Sequence, residues 1–205
     1  MKNKKYFQKS VVTGLLVFSG FAGFAQSHAK LQDNGKPVQI NPVVTGVDKV
    51  DASCDSLKTT FAAGNGESGA MFDVVAKAGI YLTTFVVSTT GAGTDSAYVY
   101  YRAGSCIGHD ASSAGWTLGS SMQVTSTGTA DTLIQVNSVP LNYNMNAGDT
   151  VGIYVTYSGA LEVAYTDGTS LDSAFAQKAT IAVLEGYGKA YPFASSFSPR
   201  EYNGI

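Results

Sequence analysis

From Lys58 onward the chain is written in Thr, Val, Ser, Tyr and Gly, and no window sustains an apolar period of 3.6 residues. That excludes a helical domain and leaves short strands. Runs favouring extended backbone lie at 58–62, 70–76, 79–90, 96–103, 116–125, 131–143, 149–157, 160–166 and 179–186. Turn formers part them, as in Thr90-Gly91-Ala92-Gly93, Ser126-Thr127-Gly128, Asn146-Ala147-Gly148-Asp149, Ser158-Gly159 and Asp167-Gly168. Residues 80–87 alternate poorly and read as buried on both faces. Leu133, Gln135 and Asn137 oppose Ile134, Val136 and Ser138, as in a half-buried strand. Residues 170–178 form the one weakly helical stretch, expected to be a turn or short helix. The pattern predicts an all-β domain over 58–205, a single antiparallel β-sandwich of jelly-roll type. No block recurs at a fixed period, so a solenoid or propeller is not indicated.

Upstream, Lys2, Lys4, Lys5 and Lys9 precede an apolar stretch over 11–25 that ends in Phe24-Ala25-Gln26, with Ser27-His28-Ala29 as a second candidate cut. This layout predicts a signal peptide over 1–25, its apolar part too short and glycine-rich to span a membrane. A secreted or cell-surface protein follows as an expectation. Residues 26–57 read as an N-terminal extension. Val38, Ile40, Val43 and Val44 suit one short strand, which Pro42 would confine to an edge or a tether.

Removal of the leader changes the charge balance. It takes four of the 13 Lys and Arg residues and none of the 15 acidic ones, which leaves nine positive groups and a net charge of −6. Such a chain has no electrostatic footprint for nucleic acid or an anionic membrane. Arg102 and Arg200 are the only arginines, so a phosphate clamp is not available. Two cysteines, Cys54 and Cys106, are expected to form a disulfide in an oxidising compartment. The enclosed loop of about 50 residues would stabilise the fold by roughly 4 kcal/mol before strain.

Catalytic chemistry finds few players. Gly64-Asn65-Gly66-Glu67-Ser68-Gly69 matches a dinucleotide-binding pattern, but a strand pattern follows where a helix is needed, so it reads as a glycine-rich β connection. Ser68 lacks the second glycine of a nucleophile elbow. His109 sits in a loop signature, Gly108-His109-Asp110, and reads as a surface residue. Glu67, Asp73, Glu162 and Glu185 are the candidates for a glycosidase pair, and nothing in the string pairs them. Asp131, Asp149, Asp167 and Asp172 lie at turns, where Asp is ordinary turn chemistry; a structural calcium is the alternative. No cofactor or other metal is expected.

Tyrosines offer the best opening for a ligand. The run Tyr98-Val99-Tyr100-Tyr101 puts Tyr98 and Tyr100 on one strand face and Val99 and Tyr101 on the other. Tyr98, Tyr100 and Tyr143 are the candidate platform for stacking on sugar faces, set against the plain role of tyrosine as a half-buried strand residue. Trp116 reads as an anchor at the edge of the core.

Several strings occur in a recognisable order: Gly69-Ala70-Met71-Phe72-Asp73-Val74, Val99-Tyr100-Tyr101-Arg102-Ala103-Gly104-Ser105, Gly108-His109, Trp116-Thr117-Leu118, Ala147-Gly148-Asp149-Thr150 and Tyr154-Val155-Thr156. A closing motif follows, Gly186-Tyr187-Gly188-Lys189-Ala190-Tyr191-Pro192-Phe193, then Phe197-Ser198-Pro199-Arg200 and Asn203-Gly204-Ile205. Over 58–205 the chain resembles a β-sandwich accessory module of bacterial secreted and cell-surface proteins. The resemblance implies no catalytic residue. In the closing motif, Gly186 and Gly188 read as sites of unusual backbone angles, Tyr191, Phe193 and Phe197 as cover for an open end, and Arg200 as partner to a buried acid, together a structural lock. The expected role is non-enzymatic: interaction or scaffolding with an extracellular protein or polysaccharide. A carbohydrate-binding module is the alternative, as is a polymer subunit that assembles through the strand at 38–44.

Overall fold

Alternation along single strands builds this fold. The structure, a computed structural model, describes residues 54–129, 132–136 and 141–205. The expected signal peptide, the extension up to residue 53, the strand at 38–44, His28 and Asp131 lie outside the described residues. Thirteen strands follow in order: β1 Asn65–Glu67, β2 Gly69–Ala76, β3 Ile80–Leu82, β4 Val86–Thr90, β5 Ala92–Ala103, β6 Thr117–Thr127, β7 Thr132–Gln135, β8 Tyr143–Met145, β9 Thr150–Tyr157, β10 Glu162–Asp167, β11 Ala174–Gln177, β12 Ile181–Lys189 and β13 Ser196–Tyr202. There is no helix among the described residues, and every strand pair is antiparallel.

The main sheet runs in the order β6-β5-β9-β2-β12-β13-β10-β4-β7, with β1 also paired to β10 and β11 to β12; β3 and β8 form a separate pair. Its two edge strands, β6 and β7, follow each other in sequence, so the sheet is nearly closed and barrel-like. The all-β, antiparallel part of the expectation holds, and in place of two separate sheets one hydrogen-bonded path links nine strands. Strongly twisted sheets of this width curl rather than stay open.

Inside the curl, period-two alternation supplies the core. Ala70, Phe72, Val74 and Ala76 of β2 face Val151, Ile153, Val155 and Tyr157 of β9, with Ala97 and Val99 of β5 beside them. Val87 of β4, Val163 of β10 and Tyr202 of β13 close the other side. Phe72 stacks on Tyr202 at 4.2 Å and meets Phe85 edge-on at 6.0 Å.

The differences from expectation have local causes. Residues 170–178 contain β11 rather than a helix, because its edge pairs with β12 through a bulge. β13 was not anticipated because Pro199 stands in its middle. Between the pairs Phe197–Gly188 and Arg200–Gly186, β13 has two residues, Ser198 and Pro199, where β12 has one, Tyr187, and Pro199 sits in that bulge, where its missing N–H costs no ladder bond. The segment 58–62 is extended but not a strand; Thr59 is tied instead to the chain end, its N–H donating to the Gly204 carbonyl and its hydroxyl to the Tyr202 carbonyl.

One bulge decides what the outer face carries. Leu184 pairs with Asp73 and Tyr187 with Met71, so β12 spends one residue more than β2 between these pairs. Before the bulge Val183 points inward with Val74; after it, Tyr187 and Lys189 point outward with Met71 and Gly69. Gly186 makes this geometry feasible through close approach rather than unusual angles, since a Cβ there would lie 2.0 Å from the Met71 carbonyl oxygen. Gly188 likewise leaves room for the Tyr165 ring.

Candidate functional site

The outward residues of β2, β9 and β12 form a second apolar cluster: Met71, Tyr154 and Tyr187, with Cys106 and Phe193 laid over them from two loops. The first loop follows β5. Asp73, buried on β2, anchors it by accepting from the Ser105 hydroxyl and, at 2.7 Å, from the Cys106 N–H. The Trp116 indole N–H closes the loop on the His109 carbonyl at 2.9 Å. The second loop is the turn between β12 and β13, tied by Ala190 N–H to the Ser195 carbonyl.

Between these loops runs a row of tyrosines. Tyr191 lies 5.9 Å from Tyr98, Tyr98 6.3 Å from Tyr100, and Tyr100 5.8 Å from Tyr154, with ring planes within 21–28° of parallel at each step. Phe193 meets Tyr100 and Tyr154 edge-on at 5.4 and 4.9 Å. Tyr154 is buried, whereas Tyr100, Tyr98 and Tyr191 are half-buried. Burial pushes the Tyr154 phenol up to about 12. It raises Tyr100 too, with the neighbouring Tyr191 and Tyr98 adding to the shift. Beside Tyr98 a shallow depression of about 200 Å³ is lined by Ser96, Tyr98, Ser121, Met122 and Gln123, all uncharged. Gln123 donates to the Ser96 hydroxyl at 2.7 Å.

Of the three candidate platform residues, the structure brings Tyr98 and Tyr100 together. Tyr143 lies elsewhere: on β8 it packs against Tyr101 at 5.0 Å, on the core side of β5. Its place in the row is taken by Tyr191, which the sequence reading used only as cover for an open end. The expected disulfide is not formed. Cys54 is free and exposed, whereas Cys106 is free and fully buried in the second cluster, its thiol pushed up by burial and by Asp73. Cys106 is packed with Tyr154 and Tyr187 on the outer face of the sheet, whereas Cys54 stays at the surface.

The candidate acids are committed separately. Asp73 holds the loop, and Glu185 accepts from the Thr169 and Ser170 N–H groups at 2.6 and 2.7 Å. Glu67 accepts from the Ser68 N–H, and Glu162 from the Thr90 hydroxyl at 3.4 Å. Asp149 caps its own turn at Asn146, Asp167 pairs with Arg200 at 3.3 Å, and Asp172 occupies a turn with φ 69°. Among the described residues there is no group of three or more His, Cys, Asp or Glu side chains placed to hold a metal ion. His109 is exposed in its loop. The glycine pattern at 64–69 leads into β2, a strand.

No protein-family model and no curated protein matches this chain. The tyrosine face is therefore read on its own chemistry. Among the described residues no helix is long and apolar enough to cross a membrane.

Proposed function

We propose that the chain is a secreted bacterial module that works at the cell surface or in the surrounding matrix by binding rather than catalysis, and that its outer face takes a neutral polysaccharide. The observation that carries this reading is the Tyr191–Tyr98 pair beside the uncharged depression of Ser96, Ser121 and Gln123. Sugar rings present C–H faces that pack on aromatic rings, and their hydroxyls exchange hydrogen bonds with Ser and Gln side chains. Uncharged lining favours a neutral chain over an acidic one. The same reading treats the curled sheet as a flattened, jelly-roll-like barrel that serves as a rigid support for the face.

Affinity electrophoresis in gels cast with neutral polysaccharides tests it. Retardation of the wild type, its loss in Tyr98→Ala, and its survival in Tyr143→Ala are the expected results. Unretarded migration in a panel of neutral glycans overturns the reading.

A further inference from the structure

The turn that completes the tyrosine face also carries a group the face does not use. The Lys189 side chain is fully buried, delivered to the outer side of the sheet by the β12 bulge. Its Nζ donates to the Ala194 carbonyl and, at 2.7 Å, to Ser196 Oγ. It also lies 3.8 Å from Asp110 Oδ2. Ser196 Oγ donates to the same Oδ2 at 2.5 Å. Amine, hydroxyl and carboxyl thus close a triangle that joins β12, β13 and the loop after β5. Burial disfavours the ammonium and lowers its pKa, and Asp110 opposes that shift. The Asp110 side chain keeps 22% of its surface in contact with solvent, so the triangle has one open corner.

We propose that Lys189 and Asp110 condense to an intramolecular amide that cross-links β12 to the loop after β5. The amine attacks the Asp110 carboxyl carbon, an Nζ–Cγ bond forms, and one Cγ–Oδ bond breaks. Starting from ammonium and carboxylate, the nitrogen gives up two protons, and both end on the departing oxygen. One water molecule leaves through the open corner, and nothing is oxidised or reduced. Ser196, bonded to both partners, relays a proton from nitrogen to oxygen. Two features favour the step. Nζ lies 3.8 Å from Asp110 Oδ2, and groups that close from there to a near-attack separation of about 3–3.5 Å react as if at effective concentrations of about 10⁵ M or more. The product also removes two charges from a site where one of them is wholly desolvated, and a neutral amide is easier to bury than an ion pair. The cross-link would do for this loop what a disulfide does elsewhere.

Intact-mass spectrometry of the folded wild type, followed by peptide mapping, tests the proposal. The expected protein is one water lighter than its sequence, and its digest contains a branched peptide that joins Lys189 to Asp110. Asp110→Ala and Lys189→Met should both run at full mass. Should Lys189→Met fail to fold, Asp110→Ala still serves, because that side chain lies at the rim. In Ser196→Ala the loss of water should slow by about a hundredfold or more, the usual weight of a positioned proton relay. A wild type at full mass, with the Lys189 and Asp110 peptides recovered separately, overturns the proposal. So does a loss of water that maps to a linear peptide, and an unchanged rate in Ser196→Ala overturns the relay.

Discussion

Asp73 shows how one side chain can position an entire loop. It is 2% exposed, yet it is satisfied, because the Ser105 hydroxyl and the Cys106 N–H both point at it. Removing the carboxylate leaves that buried N–H without its acceptor, a loss of about 1–3 kcal/mol. Asp73→Ala is therefore expected to lower the unfolding free energy obtained from urea denaturation by that amount and to raise the reactivity of the Cys106 thiol. Thiol titration beside the unfolding curve checks both, and a silent Cys106 in the variant would count against the anchoring role. Tyr98 and Tyr100 were legible as neighbours from their spacing alone. Asp73 was legible as a strand residue but not as an anchor, because its partners lie 32 and 33 positions away.

At the scale of elements, the strands with clean alternation or strong turn flanks were readable: β2, β9 and β10 fall within two residues of where the residue pattern put them, whereas β5 begins at Ala92, four residues early and inside a run that reads as a turn. The long run at 79–90 divides into β3 and β4, and 131–143 contains β7 but reaches only the first residue of β8, because β3 pairs with β8 whereas β4 pairs with β7. Bulges were not readable. The extra residue in β12 reverses the parity of everything after Gly186, and a pattern of two cannot announce its own interruption. Gly186→Ala tests how far that bulge is fixed. Its methyl group would drive into the Met71 carbonyl, and overpacking of this kind costs about 1–3 kcal/mol or more. A drop of that size in the unfolding free energy is expected, read as a lower urea midpoint, with Tyr191 and Phe193 displaced in the same variant. A midpoint equal to wild type would show that β12 can reach its register without the glycine.

The whole molecule has a further property that follows from its interior. Burial pushes the Tyr154 and Tyr157 phenols up to about 12, and the Tyr157 hydroxyl shares a 2.5 Å hydrogen bond with Thr89. Folding thus favours the protonated phenols, whose unfolded value is near 10. The associated stability, roughly 2 kcal/mol for each, is fully present below about pH 10 and is lost as the pH rises towards about 12. Urea midpoints measured between pH 8 and 12, at about equal spacing, should be flat at first and then fall steeply. Tyr157→Phe removes one contributor, so its curve should fall less. At this scale the antiparallel, all-strand class was legible, because composition and turn spacing speak for the entire domain. The curling of one sheet was not, since closure depends on which strands meet at the seam between β6 and β7.

β5 reaches both worlds at once. Ala97, Val99 and Tyr101 are spoken for by the interior, whereas Ser96, Tyr98 and Tyr100 look outward from the same ribbon. Mutations at even positions can therefore remake what the exterior recognises without disturbing the odd ones. Drift at the odd positions meets the full resistance of packing. A single inserted residue would exchange the two vocabularies, and the lineage carrying it would lose its core and its contact surface in one event.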